Sequence, residues 1–158
     1  MAVSYTVIRT NPLGQQIELS NTTLEKEIMT ITRYGIEGGT GTGGQHLPFA
    51  RATQAGGFLY VSGQTPMTDG EVVEGGIVDQ SRLAIQNCVD IMEEAGFGLE
   101  DVVHVKVVLT DSRYFQSFNK VFKEFFGEHP PARICMVCDL VVDVKVEVDV
   151  TCYREDRR

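Results

Sequence analysis

The sequence predicts an α+β sandwich in which two helices cover one face of a mixed β-sheet. One observation is the segment 142–153, where valines alternate with charged or polar residues, as in a strand with one buried face. The other is a pair of amphipathic helices, expected at about 78–95 and 113–126, each lying between strand-like segments. The predicted order is β-β-β-α-β-α-β-β with short extra edge pieces, and two helices on one side of a sheet give this class.

Three strands are expected before the first helix, at 28–36, 52–53 and 58–62. A hairpin turn is predicted at 54–57, because Gln54-Ala55-Gly56-Gly57 separates the second strand from the third. The segment Phe58-Leu59-Tyr60-Val61 is rich in strand formers and is expected to be mostly buried.

A fourth strand, 102–110, separates the two helices, and the last two strands are expected at 132–137 and 142–153. In 102–110 alternation places one set of residues on a common face: Val103, Val105, Val107 and Leu109. The second helix, capped by Asp111 or Ser112 and ended by Gly127, carries a ring stripe that is expected to pack on the sheet: Phe115, Phe118, Phe122 and Phe125.

The chain length of 158 residues favours a single domain, expected at 28–158, preceded by an N-terminal arm at 1–27. Within the arm, 4–10 and 15–19 are compatible with a hairpin across Asn11-Pro12-Leu13-Gly14, and Ser20-Asn21 with the cap of a short helical turn. We expect the arm to pack on the domain or on a neighbouring subunit.

Composition excludes several classes of function. A formal net charge of −8 without a Lys/Arg cluster disfavours nucleic-acid binding, and no apolar run is long enough to span a membrane. The N-terminal sequence has no secretory pattern, so the four cysteines are expected to be reduced thiols in a cytoplasmic protein. Cys135 and Cys138 form a CxxC within a strand, where the two side chains point to opposite faces, which disfavours a zinc or redox site.

The segment around the last two strands contains the candidate site. Arg133 follows Pro130-Pro131-Ala132, with Cys135 on the same face, and Glu147 lies on the polar face of the final strand. If their strands are adjacent, Arg133 and Glu147 can form a simple cross-strand ion pair. Alternatively, the guanidinium binds a substrate carboxylate and the carboxylate activates water. We expect Arg133, Lys145 and Glu147 on the sheet face away from the helices, covered by other subunits.

Several short motifs, in a fixed order over about residues 30–155, make the chain similar to one known family. They are Phe58-Leu59-Tyr60-Val61-Ser62-Gly63-Gln64-Thr65-Pro66, Glu93-Glu94-Ala95-Gly96, Phe118-Asn119 with Phe125-Phe126, Pro131-Ala132-Arg133-Ile134-Cys135, and Val144-Lys145-Val146-Glu147-Val148. With these motifs the chain resembles the RidA (YjgF) family of enamine/imine deaminases.

The resemblance implies a chorismate-mutase-like fold, assembled as a homotrimer with clefts between subunits. It also implies a cytosolic hydrolase that converts 2-imino acids or 2-aminoacrylate-like enamines to 2-keto acids and ammonia, without metal or organic cofactor. By the same resemblance, Arg133 pairs with the substrate carboxylate and Glu147 holds the attacking water. Cys135 lines the pocket without acting as a nucleophile, and Phe49, where the family often has tyrosine, lies at the cleft with Ser62 and Asn119.

Other functions stay open at this stage. One is a regulatory trimer that binds small keto acids without turnover, and another is a pathway-specific deaminase of the 2-aminomuconate type. A ribonuclease, also proposed within the family, is disfavoured by the negative charge. Asn119 either satisfies backbone groups or points into the cleft. The chain departs from the family at Phe49, in a shorter link between Cys135 and Leu140, and in the arm, so the natural substrate is not defined.

Overall fold

The computed structural model describes residues 6–10, 14–20, 31–35 and 47–155. The chain divides into two compact units between Thr30 and Ile31. In the first unit, β1 (Thr6–Thr10) pairs antiparallel with β2 (Gln16–Ser20), with Thr6 opposite Ser20. Residues 11–13 of the predicted turn, and the predicted helical turn through 27, lie outside the described residues.

The second unit is a mixed α+β fold, as predicted. Its elements are β3 (Ile31–Tyr34), β4 (Ala52–Ala55), β5 (Phe58–Gln64), β6 (Met67–Thr68), β7 (Glu71–Val72), α1 (Ile77–Glu94), β8 (Val102–Leu109), α2 (Phe115–Phe126), β9 (Ala132–Val137) and β10 (Val146–Tyr153). Six strands form one sheet in the order β3-β4-β5-β10-β8-β9, while β6 and β7 form a separate small hairpin. Every pair in the large sheet is antiparallel except β8 and β9, which are parallel and are joined through α2.

The core lies between the sheet and the helices, on what we call the helix face. The alternating valines Val146, Val148 and Val150 of β10 are buried there, together with Phe118 and Phe126 of α2. Burial of each such side chain contributes about 1.5–3 kcal/mol, so this alternation fixes which side of β10 meets the helices. The opposite side of the sheet is the open face.

A bulge in β8 makes one predicted face assignment wrong. Thr151 of β10 pairs with His104, but Cys152 pairs with Val102, so Val103 is an extra residue between the two pairs. Val103 is 43% exposed, whereas Val102 is buried. Alternation counted along the sequence cannot detect this shift, because a bulge reverses the faces on one side of it.

The strand β5 also differs from the expectation of general burial. Leu59 and Val61 are buried, but Phe58 and Tyr60 are 40% and 50% exposed on the open face. The ring of Phe58 lies 4.8 Å from that of Tyr153, centroid to centroid. The strand therefore alternates like the others, and it leaves aromatic surface uncovered in the single chain.

One turn and one buried ring are also corrected. The hairpin between β4 and β5 turns at Gly56-Gly57, since Ala55 already pairs with Phe58, and the φ of +58° at Gly56 suits a two-residue turn. In α2 the ring buried at the C-terminal end is that of Phe126, and Phe125 is only partly buried.

Candidate functional site

Arg133 lies on the helix face, so its predicted place on the open face is wrong. The parallel register pairs Arg133 with Val105 of β8, whose side chain is buried against the helices. The guanidinium carbon of Arg133 lies 4.6 Å from the ring centroid of Phe122, and 5.7 Å and 5.8 Å from those of Phe115 and Phe118. The side chain therefore points from the sheet edge toward α2.

The rings around Arg133 attract its positive charge but do not neutralise it. Each ring face attracts the guanidinium by about 0.5–2 kcal/mol, depending on how far the pair is removed from water. Within 31–35 and 47–155, no carboxylate forms an ion pair with Arg133 and no acceptor takes a hydrogen bond from it. Its planar fork of N–H donors is therefore available to an anion.

Asn119 lies on the side of α2 that carries the rings near this guanidinium. It follows Phe115 by four residues and precedes Phe122 by three, so its side chain is a neighbour of both rings on the helix surface. The Oδ1 of Asn119 is buried and accepts no hydrogen bond from any residue that the structure describes. Of the two sequence interpretations of Asn119, this observation favours an amide that faces a cleft.

Cys135 follows Arg133 by two residues on β9 and therefore shares its face. Burial raises the pKa of the Cys135 thiol, and the charge of Arg133 opposes the rise only in part. The sulfur is therefore a neutral thiol at neutral pH, which agrees with a lining residue and disfavours a nucleophile. We call Asn119, Arg133, Cys135 and the three rings the arginine cluster.

Glu147 lies on the open face, since its neighbours Val146 and Val148 are buried on the helix face. Burial raises the pKa of the Glu147 carboxyl, the nearby charge of Asp149 raises it further, and Lys106 lowers it. Lys106 itself forms a salt bridge with Asp149, with 2.8 Å between Nζ and Oδ2. In the part of the chain that the structure describes, Glu147 forms no ion pair or hydrogen bond, so its carboxylate can hold a water.

Of the other two predicted residues, Ser62 lies next to Gly63 on β5, and Phe49 precedes Ala50, to which Ser62 is hydrogen-bonded. Ser62 Oγ donates to the carbonyl of Ala50 at 2.7 Å, and this bond ties the end of β5 to the segment that contains Phe49. The Phe49 side chain is 53% exposed. Gly63, next to Ser62, lies against Glu147, because a Cβ at Gly63 would overlap Glu147 Oε1. We call Phe49, Ser62, Gly63 and Glu147 the carboxylate cluster.

The six predicted residues thus form two clusters that do not meet within one chain. Strand β8 separates β9 from β10, which excludes the predicted cross-strand ion pair between Arg133 and Glu147. Arg133 aligns with Val105, which aligns with Val150, three residues from Glu147. The Cα atoms of Arg133 and Glu147 are thus two strand spacings apart across the sheet and three residues apart along the strands. This gives a distance of about 14 Å, with the two side chains on opposite faces.

The sequence alone does not single out the three rings and Gly63 as parts of the site. Rings at this spacing usually pack in a core, and Phe118 is fully buried here. In this part of the sequence, the amide of Asn119 is therefore the one indication of a polar cleft. For Gly63 the available signal was a glycine inside a run of strand formers, which often marks a close approach of another group.

A groove of about 500 Å³ opens at the opposite end of β8 and β9. It is lined by residues 139–145 together with Thr110 and Tyr114. None of the six predicted residues lines this groove.

Comparison with known proteins gives consistent matches. A family model described as Endoribonuclease L-PSP matches residues 44–154. A RutC family protein of Pyrococcus horikoshii is 41% identical over 111 residues, which cover 68% of this chain and 88% of that protein. The mitochondrial protein MMF1 of Saccharomyces cerevisiae is 38% identical over 104 residues, covering 65% of this chain and 72% of that protein.

Solved structures agree with the fold. The crystal structure of yeast Mmf1 has a TM-score of 0.72 and 31% sequence identity, covering 80% of this chain and all of that one. The structure of Escherichia coli TdcF with bound serine has a TM-score of 0.68 and 30% identity, covering 78% of this chain and 99% of that one. The chain therefore belongs to the Endoribonuclease L-PSP family, which is also called the YjgF/RidA/RutC family.

Proposed function

We propose that this protein is an enamine/imine deaminase that hydrolyses 2-imino acids, or enamines of the 2-aminoacrylate type, to 2-keto acids and ammonia. The observation that carries the proposal is the state of Arg133. It is a guanidinium held over three rings, without an acidic partner among the described residues, beside the unsatisfied amide oxygen of Asn119.

The arginine cluster suits a small 2-imino acid. Its carboxylate accepts two parallel hydrogen bonds from the guanidinium fork, and this geometry fixes direction as well as charge. The imino N–H next to that carboxylate can donate a hydrogen bond to the Oδ1 of Asn119. An unpaired cation and an unpaired acceptor thus match the two polar ends of one substrate.

Glu147 supplies the water in this proposal. In the protonated imine, Glu147 takes a proton from the water as the oxygen bonds to the imine carbon and the C=N π electrons move to the nitrogen, which gives a neutral tetrahedral carbon with a hydroxyl and an amino group. Glu147 then returns this proton to the amino nitrogen, and the C–N bond breaks to release ammonia. The hydroxyl proton passes to Glu147 or to solvent as the C=O bond of the 2-keto acid forms, so one water is consumed per imine. A raised carboxyl pKa, as at Glu147, makes a stronger base of the ionised group.

The two clusters must then come from different copies, in a homotrimer with a site between neighbouring subunits. Arg133 and Glu147 are on opposite faces and about 14 Å apart by Cα, which is too far for one small substrate to join them. The open face supports assembly, since it leaves large apolar side chains uncovered in the single chain: Phe58, Tyr60, Ile134, Met136 and Tyr153.

The bound serine of E. coli TdcF adds support from a relative, because serine presents a carboxylate next to a nitrogen-bearing carbon, as a 2-imino acid does. Phe49 replaces the hydroxyl of the usual family tyrosine with an apolar ring, and we therefore expect a different preference for the substrate side chain. The 2-aminomuconate type of substrate is a narrower form of the same reaction.

Ammonia release tests the proposal directly. Iminopyruvate and larger 2-imino acids are generated in place by an amino-acid oxidase, and the imine that remains is trapped chemically. The wild-type protein should speed ammonia release, and Arg133→Ala should lose about 10²-fold or more of that effect, because an oriented carboxylate is lost. Arg82→Ala is the matched control, since Arg82 is an exposed arginine paired with Glu124 on the surface.

The same experiment separates the alternatives. A regulatory trimer would bind 2-keto acids through Arg133 but would leave ammonia release at the spontaneous rate. An endoribonuclease, the activity in the description of the family model, would cleave RNA, which the net charge of −8 disfavours. Wild-type ammonia release in Arg133→Ala would refute the proposed role of the guanidinium.

The cellular compartment stays a prediction. No helix among the described residues has the length and apolar character to cross a membrane. MMF1 of S. cerevisiae and mmf1 of Schizosaccharomyces pombe are named as mitochondrial proteins, whereas the sequence of this chain led us to expect the cytoplasm.

A further inference from the structure

Gly63 lies in β5, next to the strand β10 that carries Glu147, at a point where the pairing of β5 with β10 is irregular. Gln64 of β5 pairs with Val148 and Val61 pairs with Val150, so two residues of β5, Ser62 and Gly63, lie opposite Asp149 alone. A Cβ built on Gly63 would overlap Glu147 Oε1 and would lie 2.9 Å from its Cδ and 3.2 Å from its Cγ. The carboxylate thus occupies the space that a side chain at position 63 would take.

Backbone conformation does not explain why this residue is glycine. Gly56, Gly70 and Gly96 have positive φ values, but Gly63 does not. An alanine at Gly63 would therefore fit the backbone, and the nearest atom that it displaces is the free end of a flexible side chain. The fold can accommodate a movement of the Glu147 side chain at low cost, but the Glu147 carboxylate would no longer occupy its present position.

We propose that Gly63 is a positioning residue for the proposed deaminase reaction, in that its missing side chain sets the Glu147 carboxylate against the backbone of β5. This inference rests on the proposed function. A shift of the reacting groups by about 1 Å can cost about 10²-fold in rate. Binding of the substrate carboxylate belongs to the arginine cluster, which Gly63 does not touch.

The surroundings of Glu147 predict a second effect of an added methyl group. Among the described residues, the charged groups near Glu147 are Asp149 on its own strand and Lys106 on β8, while β5 contributes Ser62, Gly63 and Gln64, which do not titrate. A methyl group at position 63 pushes the carboxylate out of its half-buried place toward water. Its pKa then falls toward the ordinary carboxyl value, and the acid limb of the pH–rate profile moves to lower pH.

Gly63→Ala tests this inference, with Gly76→Ala as the matched control. Gly76 has extended backbone with a φ of −77°, and its nearest atom to an added Cβ is Asp79 Oδ2 at 3.8 Å. We expect Gly63→Ala to lower kcat by about 10–100-fold with KM changed less than about twofold, and Gly76→Ala to change neither. Equal kcat values for Gly63→Ala and wild type would overturn the inference.

A carbon-13 NMR titration of the glutamate carboxyl groups gives a readout that does not depend on turnover. The Glu147 signal is assigned by its loss in Glu147→Gln, and its pKa should be lower in Gly63→Ala than in wild type. If the wild-type protein releases no ammonia, the proposed function fails, but this titration still tests the contact. An unchanged Glu147 pKa in Gly63→Ala would then overturn the inference.

A third variant covers the case in which Gly63→Ala does not fold or assemble. Combined with Glu147→Ala, the same substitution should restore folding and assembly, as judged by thermal unfolding and sedimentation, because the overlapping carboxylate is gone. If the double variant also fails, the added Cβ meets some other group, and the positioning role of Gly63 is refuted.

Discussion

Two inactive variants of this chain should restore activity when they are mixed. Arg133→Ala destroys the arginine cluster and leaves the carboxylate cluster intact, whereas Glu147→Ala does the reverse. In the proposed trimer each site takes Arg133 from one copy and Glu147 from its neighbour. A mixed trimer therefore contains some sites in which both residues are present, although no single chain carries both.

The expected recovery follows from the separation of the clusters. With Cα atoms about 14 Å apart and side chains on opposite faces, Arg133 and Glu147 of one chain cannot serve one site. At equal amounts and random assembly, half of the copies retain Arg133 and half retain Glu147. A site is then complete with a probability of one half times one half, so about a quarter of the wild-type activity should return.

The assay is ammonia release from a 2-imino acid after the two variants are unfolded together and refolded at equal concentration. The control is a mixture of Arg133→Ala with Asn119→Ala, whose lesions share one cluster and should not complement each other. If the Arg133→Ala and Glu147→Ala mixture forms mixed trimers but stays as inactive as its parents, the two-copy site is refuted.

Three further predictions concern single side chains. Phe122→Leu removes the ring that lies 4.6 Å from the Arg133 guanidinium, so KM should rise by roughly 3–30-fold with little change in kcat, and an unchanged KM in steady-state kinetics would contradict the positioning role of the ring. Glu147→Gln should abolish turnover. It should also raise the free energy of unfolding near pH 8, because folding raises the pKa of the Glu147 carboxyl, and the ionised carboxylate therefore destabilises the fold above that pKa. Below the ordinary carboxyl pKa the two proteins should unfold alike in urea, and an equal difference at about pH 4 and about pH 8 would refute this reasoning. Cys135→Ala should retain kcat within about fivefold, because its buried thiol is protonated and is not a nucleophile, and loss of activity with intact assembly would reverse that conclusion.

The amino-acid sequence by itself determined most of the local elements and, apart from the bulge in β8 and the orientation of β9, the face that each buries. The valine alternation of β10 and the apolar stripes of α1 and α2 are short-range patterns, and the structure contains them close to the predicted bounds. The turn is shorter than predicted, at Gly56-Gly57 rather than 54–57, and β10 begins at Val146 rather than at 142. Asp111 is a further example, since its side chain accepts the N–H of Arg113 at 2.8 Å and caps the turn that leads into α2. Six residues of the proposed site were also chosen from the sequence, mainly through the resemblance to the family, whereas the three rings of α2 and Gly63 were not.

The tertiary structure decided how those residues are arranged. Alternation predicts which residues of β9 share a face, but not which face meets the helices, and it says nothing about strand order. Insertion of β8 between β9 and β10 separates Arg133 from Glu147, and the parallel register turns Arg133 toward the rings of α2. These features depend on pairing between distant segments, and such pairing is set by the packing of the whole sheet rather than by any local pattern.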